Sequence, residues 1–323
     1  MIEILSAGAA ASVQDLGRTG HLAMGVGGAG AMDRLALQAA NLLVGNVPGA
    51  AAIENAAGTL RVRFMEPCAF AVAGAPARVA LDGMALPSFW SMAAAAGQIL
   101  EVAPSPTGVW TYLALAGGID AAVVLGSRST DLKAGFGGHE GRPLAPGDQL
   151  ATCDAPAVAR RAGGFGTTLP AMGGADRAAT AVRAMPAREH AAFSADTQAR
   201  FWDAEWVVQA DSNRIGYRLA GPVLEPVEPL NLLSYGLVPG VVQVPPSGQP
   251  VVQLSEANTC GGYPKMAVIV GADLRMLAQT RPGKAVRFVR CTQDEAVHAL
   301  REEQAYLSGT ASCARGTLPR TSC

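Results

Sequence analysis

Residues 206–222 read W-V-V-Q-A-D-S-N-R-I-G-Y-R-L-A-G-P, and 241–254 read V-V-Q-V-P-P-S-G-Q-P-V-V-Q-L. Residues 258–265 follow with N-T-C-G-G-Y-P-K. Short apolar runs of strand length are cut here by loops dense in Gly, Pro, Asn, Arg, Tyr and Lys. That pattern specifies β-structure, with loops free to carry chemistry on a rigid scaffold. Arg214 and Arg218 offer planar forks of donors suited to carboxylate, carbamate or phosphate. Tyr217 and Tyr263 add aromatic faces with a hydroxyl, and Lys265 adds a compact charge. Gly261, Gly262 and Pro264 would let backbone approach a ligand. The same residues also suit tight turns that satisfy buried backbone, and composition leaves both readings open.

The β pattern extends upstream. T-L-R-V-R-F (59–64), A-F-A-V-A-G (69–74), A-R-V-A-L-D-G (77–83), Q-I-L-E-V (98–102) and V-W-T-Y-L-A-L (109–115) are short and separated by Gly or Pro turns. Close strand spacing with few helices argues for a barrel or sandwich rather than a βαβ repeat. A-A-G-Q-I-L-E-V (95–102), A-P-G-D-Q-L (145–150) and R-P-G-K-A-V-R-F (281–288) each place a glycine just before a strand. This weak repeat suggests two similar β-modules. The expected division is a first module over 1–155, an Ala/Gly/Arg-rich linker over 156–180, a second module over 181–308, and a flexible tail over 309–323.

Helices are few. An apolar face of Met32, Leu35, Ala36, Ala39, Leu42 and Leu43 predicts a helix from Ala31 to Val44, closed by Gly45. A short helix within 187–202 should turn Phe193, Phe201 and Trp202 to the core. Another covers 272–279. T-Q-D-E at 292–295 is a capping box opening a helix to about Leu307, with Val297 and Leu300 inward. Residues 25–30, G-V-G-G-A-G, match the dinucleotide fingerprint, and Glu54 lies where a ribose-binding acid would. The preceding strand is missing, so a loop that packs tightly before a helix is the better reading. Ser127, Arg128, Ser129 and Thr130 form an anion-binding loop or a surface turn.

Composition narrows the function classes. The 323 residues are 50% hydrophobic and 16% charged, enough for one large or two ordinary cores. A net charge of −1 argues against a nucleic-acid binder with a basic surface. No apolar run approaches the roughly 20 residues of a membrane helix. The start, M-I-E-I-L-S-A-G, lacks the basic region of a signal peptide. Scattered cysteines point to reduced thiols in a cytoplasm, and neither they nor the histidines predict a metal site. There is no P-loop, no biotinyl A-M-K-M and no G-x-S-x-G elbow.

The chain resembles the family of allophanate hydrolase subunit 2, the C subunit of ATP-dependent 5-oxoprolinase and the biotin-dependent carboxyltransferase domain of urea carboxylase. The matching stretches are S-V-Q-D-L-G-R-T-G-H (12–21), G-A-M-D-R-L-A-L-Q-A-A-N-L-L-V-G-N (30–46), L-A-L-A-G-G-I-D (113–120) and V-L-G-S-R-S-T-D (124–131). D-S-N-R-I-G-Y-R-L-A-G-P (211–222), V-Q-V-P-P-S-G-Q-P (242–250) and G-G-Y-P-K (261–265) complete them. Tyr235, Glu256 and Asn258–Thr259–Cys260 depart from the family pattern beside the expected site.

The resemblance implies a mainly β fold of two tandem cyclophilin-like β-barrels with a few short helices. It implies an ATP-dependent 5-oxoprolinase acting with a B subunit, of the allophanate hydrolase subunit 1 kind, and with an A subunit. ATP acts at the level of the complex, and any biotin would come from a partner chain. The alternatives are a carboxyltransferase or allophanate-type subunit acting on urea-like substrates, and a non-catalytic partner of a kinase-inhibitor protein. For a small amide or ureide substrate, the expected catalytic residues are Arg214, Tyr217 and Lys265. Asn213, Arg218, Gln243, Ser247, Gln249, Tyr263 and Arg128 are the expected binding residues.

Overall fold

A computed structural model describes residues 1–154, 163–167 and 179–315. The chain separates into two compact units. The first comprises Met1–Arg18, Ala29–Pro170 and Gln304–Cys323, and the second Thr19–Gly28 and Ala171–Glu303. Most of the stretch read as a linker over 156–180 lies outside the described residues.

Among the described residues the first unit holds twelve strands: β1 (Ile2–Ser6), β2 (Ser12–Gln14), β3 (Ala52–Ala56), β4 (Leu60–Phe64), β5 (Cys68–Gly74), β6 (Val79–Leu81), β7 (Met84–Leu86), β8 (Trp90–Ala94), β9 (Ile99–Val102), β10 (Trp110–Leu115), β11 (Gln149–Leu150) and β12 (Phe165–Gly166). They form two six-stranded sheets, ordered β11-β1-β4-β9-β6-β7 and β12-β8-β5-β10-β3-β2. Strand β12 lies inside the stretch read as linker and pairs with Trp90 and Ser91. Alternation explains the packing. On β4, Leu60, Val62 and Phe64 are buried while Arg61 points out. Ile4, Val62, Phe64 and Leu100 of one sheet share a core with Val13, Ile53, Phe70 and Leu113 of the other. The rings of Phe64 and Phe70 meet with centroids 5.3 Å apart.

Strand β10 is buried along its whole length. Helix α1 (Arg34–Leu43) packs on β5 and β10, so β10 is covered on both faces. The helix starts three residues later than its apolar pattern suggests. Asp33 is its N-cap and accepts from the Ala36 N–H. Just before it, the Met32 N–H donates to Glu54 and the Asp33 N–H to the Tyr112 hydroxyl. That hydroxyl donates in turn to Glu54 at 2.7 Å. Glu54, fully buried, is thus a structural acid at a helix start. Gly45 closes the helix in the left-handed region.

The loop at 127–130 does bind an anion, and the anion is the protein's own. The Asp15 carboxylate accepts from the hydroxyls of Ser127 and Ser129 and from the N–H groups of Gly17 and Arg128, at 2.6–2.7 Å.

The second unit contains β13 (Ala179–Pro186), β14 (Trp206–Val208), β15 (Gly216–Ala220), β16 (Tyr235–Gly236), β17 (Val241–Gln243), β18 (Val251–Gln253), β19 (Cys260–Gly261), β20 (Lys265–Ile269) and β21 (Ala285–Arg290). Seven of them close a barrel in the order β13-β20-β17-β18-β15-β14-β21, with β13 and β21 parallel. The remaining two, β16 and β19, pair as a separate ribbon. The fold is mainly β with few helices, as expected. Its closed barrel, among the described residues, is that of the second unit, and the first unit keeps its strands as two sheets. Helix α2 (Ala195–Asp203) is capped by Ser194. It stacks Phe201 on Phe288 with centroids 4.6 Å apart. Phe193 and Phe201 are buried as expected, and Trp202 is half-buried. A 3₁₀ turn at Gly271–Asp273 leads into the short α3 (Leu274–Ala278).

Helix α4 (Gln293–Arg315) opens on the expected capping box. The Glu295 N–H donates to Thr292 Oγ1, and the Thr292 N–H donates to Glu295. Two expectations fail on it. Val297 and Leu300 are exposed, and Ala296 and Ala299 are buried instead, against Val270 and Ala272. Small side chains let the helix come close where branched ones would hold it off. The helix also continues through 309–315, which was read as tail. Leu307 packs on Leu35 and Leu42 of α1. Ser308, Thr310 and Ser312 satisfy their hydroxyls on carbonyls four residues back, so this polar stretch stays helical. Cys68, Cys153, Cys260 and Cys291 are free thiols. Among the described residues no helix is long and apolar enough to cross a membrane, and no acid, histidine and cysteine cluster could hold a metal.

Replacing Asp15 by Ala leaves buried donors unmatched at the 127–130 loop. We expect a loss of about 3 kcal/mol in unfolding free energy, measured by denaturant titration. A loss below about 0.5 kcal/mol would contradict the role given to this carboxylate.

Candidate functional site

The loops of the second unit sort the expected residues into two groups. Most are committed to the scaffold. Arg214 Nε donates to Glu256 Oε1 at 2.7 Å, and both side chains are buried. The Glu256 N–H donates back to the Arg214 carbonyl, so the ion pair and the backbone lock the same two loops. The Tyr217 hydroxyl is buried and donates to the Ala278 carbonyl at 2.7 Å. Asn213 accepts from the N–H groups of Ile215 and Gly216, making a turn. Arg218 pairs with Asp211 on the surface. Gln249 clamps both backbone groups of Gly221, and Ser247 accepts from the Gln249 N–H. Tyr263 is exposed. Arg128 belongs to the first unit, where it donates to Asp120 and to the Ala121 carbonyl.

Lys265 and Gln243 form the second group. They face one another across β17 and β20, at a point where the register shifts. Lys265 is only 3% exposed. Its Nζ donates to the Gly261 carbonyl at 3.0 Å and sits over the Tyr235 ring, 3.1 Å from the centroid. Tyr235 and Gly261 are partners in the β16–β19 ribbon. The Tyr235 hydroxyl donates to Glu189 Oε2 at 2.7 Å, and the same oxygen accepts the Lys265 N–H. Glu189 therefore ties the ribbon to the first residue of a barrel strand.

The amide pair beside this cluster extends it. Gln253 Nε2 donates to Gln243 Oε1 at 3.0 Å, and both residues are 4% exposed. They sit diagonally on neighbouring strands, within reach of long side chains. A Cβ on Gly261 would lie 2.8 Å from Gln243 Nε2, so the ribbon closes over the pair because it carries a glycine there.

Electrostatics separate the two titratable groups. Burial pushes the Lys265 amine below its usual value, against the opposing pull of Glu189. Burial, reinforced by the bond to Glu189, pushes the Tyr235 phenol up to about 12. The arrangement offers a desolvated amine donor, a carboxylate and a neutral phenol around two buried amides. Such fixed donors suit a carbonyl that gains negative charge.

Glu189, Tyr235 and Gln253 were not among the expected site residues. The tetrapeptides V-V-Q-V (241–244) and V-V-Q-L (251–254) carry the signal for Gln253, and Tyr235 stood out as a family departure. Nothing local in R-E-H (188–190) marks Glu189.

Known proteins share this chain's sequence and its architecture. Residues 24–290 match the family described as carboxyltransferase domain, subdomain A and B. The chain is 42% identical over 306 residues to the C subunit of 5-oxoprolinase from Escherichia coli, covering 95% of this chain and 96% of that protein. It is 40% identical over 307 residues to the Haemophilus influenzae protein of the same name, with the same coverage of each. Urea amidolyase of K. lactis superposes with a TM-score of 0.87 at 26% identity, over 96% of this chain and 20% of that one. The chain belongs to the carboxyltransferase domain family, subdomains A and B.

Proposed function

We propose that this chain is the C subunit of an ATP-dependent 5-oxoprolinase, a hydrolase that opens the lactam of 5-oxoproline to glutamate together with partner subunits. The observation that carries this reading is the identity of 40–42%, running nearly end to end, to proteins named as the C subunit of 5-oxoprolinase. The site chemistry agrees with it. Opening an amide builds charge on the carbonyl oxygen, and a buried ammonium aimed at that oxygen lowers the barrier. Lys265 has three donors. Gly261 and the Tyr235 ring engage it on two sides in the closed arrangement, where Tyr235 and Glu189 position the amine. A substrate carbonyl takes a donor that these contacts give up.

Nucleotide binding falls to a partner in this reading. Residues 25–30 do not fit a phosphate cradle: no strand leads into them, and Glu54, Tyr112 and Asp33 already take donors at the start of α1. The partners are a B subunit of the allophanate hydrolase subunit 1 kind and an A subunit, working in the cytoplasm. The likeness to urea amidolyase supports a second reading, carboxyl transfer to a urea-like acceptor with biotin supplied by another chain.

Co-expression with its genomic neighbours followed by assay separates the two. The expected result is a co-purified complex that releases glutamate from 5-oxoproline only with ATP and all subunits. Biotin-dependent carboxylation of urea, with no glutamate released, would overturn the first reading.

The amine itself is testable by carbon-13 NMR, because the chain has three lysines, Lys133, Lys265 and Lys284. One εCH₂ resonance should titrate below 10.5 and vanish in Lys265→Met. Folding lowers this pKa, so the charged amine costs stability at neutral pH, and the cost lifts as pH rises through the folded value towards 10.5. A Lys265 resonance titrating at or above 10.5 would contradict the buried-donor role.

A further inference from the structure

The glutamine pair is left half-satisfied. Gln253 Nε2 is spent on Gln243 Oε1, while Gln243 Nε2 and Gln253 Oε1 are buried without a hydrogen-bond partner. Interchanging oxygen and nitrogen in both amides does not remove the deficit. Gln243 would then donate to Gln253, leaving one acceptor on Gln243 and one donor on Gln253. Interchanging only one would set like atoms against each other. Every workable arrangement leaves one donor and one acceptor of this amide pair unmatched, in a place where folded proteins seldom leave such groups so.

The ribbon above the pair is lightly held. Its strands are two residues each, and Tyr235, Gly236 and Cys260 are exposed. The side-chain ties from it are Tyr235 to Glu189, the Tyr235 ring to the Lys265 amine, and the Gly261 carbonyl to the same amine. These ties end on the residues already placed around the amine. Lifting the ribbon would uncover the Gln243 amide and free the Lys265 donor together.

We propose that Gln243 and Gln253 read the edge of the substrate amide on which C=O and N–H lie on the same side, once the β16–β19 ribbon lifts. The proposal rests on the reading of this site as the one that handles an amide substrate. A lactam holds its amide cis, so the carbonyl oxygen and the N–H share one edge, matching one donor and one acceptor. A trans open-chain amide puts them on opposite edges and cannot satisfy both. Urea presents the same syn edge, so the shared chemistry is that edge. Ring opening adds water, breaks the C–N bond and leaves a carboxylate and an amine, so the product no longer fits and departs.

The test is calorimetric binding to the assembled complex, using 5-oxoproline, N-methyl-5-oxoproline and urea as probes. N-methylation removes the N–H and keeps the carbonyl. The wild-type complex should bind the N-methyl lactam at least tenfold more weakly than the parent. In Gln253→Met and Gln243→Met, each checked for unchanged complex assembly, the parent should weaken at least tenfold and the discrimination should vanish. Urea bound in place of the lactam, with the same dependence on both glutamines, would support the edge reading while overturning the 5-oxoproline assignment. Equal affinity of the wild-type complex for both lactams would overturn the proposal without any variant. So would full discrimination retained in a folded glutamine variant.

Discussion

The carboxylate of Glu189 is the constraint on which the candidate site depends. One oxygen accepts both the Tyr235 hydroxyl and the Lys265 N–H. It thereby fixes where the ribbon lies, where β20 begins and where the buried amine sits. A carboxyl group 9% exposed needs hydrogen-bond partners in place of water. Glu189 is matched by the groups that build the site, so meeting its own requirement arranges the rest.

The same device recurs through the chain. Asp15 gathers the 127–130 loop, Glu54 anchors the start of α1, and Asp273 takes the guanidinium and N–H of Arg183. Glu256 locks Arg214. Short strands and many loops leave backbone donors that no ladder can use, and buried acids collect them. This explains why stretches that look made for anions are closed. The anion is supplied by the protein, and a ligand would have to displace it.

Much of the fold is legible in the sequence because it rests on local rules. Alternation on β4, the apolar face of α1, the Gly45 cap and the Thr292–Glu295 box each need only neighbouring residues. The site is less legible because its contacts are long-range. Arg214 looks like a substrate fork until Glu256, 42 residues away, is seen to occupy it. Glu189 reaches Lys265 across 76 residues. The sidedness of α4 fails for a related reason: hydropathy favours Val297 and Leu300, but the space available selects Ala296 and Ala299. Lys265 and Gln243 stood out only as members of the G-G-Y-P-K and V-Q-V-P-P-S-G-Q-P stretches, and the register that sets them opposite each other belongs to the fold.

If catalytic chemistry gathers at Lys265 while Arg214 holds the scaffold, the two residues must fail in different ways. Turnover and melting temperature of the assembled complex, measured in parallel for Lys265→Met and Arg214→Met, separate those failures. Lys265→Met should lose neither melting temperature nor assembly while turnover falls by about 10²–10³. Arg214→Met should lose about 3–5 kcal/mol of stability, because it strands a buried carboxylate. A stable Arg214→Met complex without activity, beside a fully active Lys265→Met complex, would contradict this division of roles.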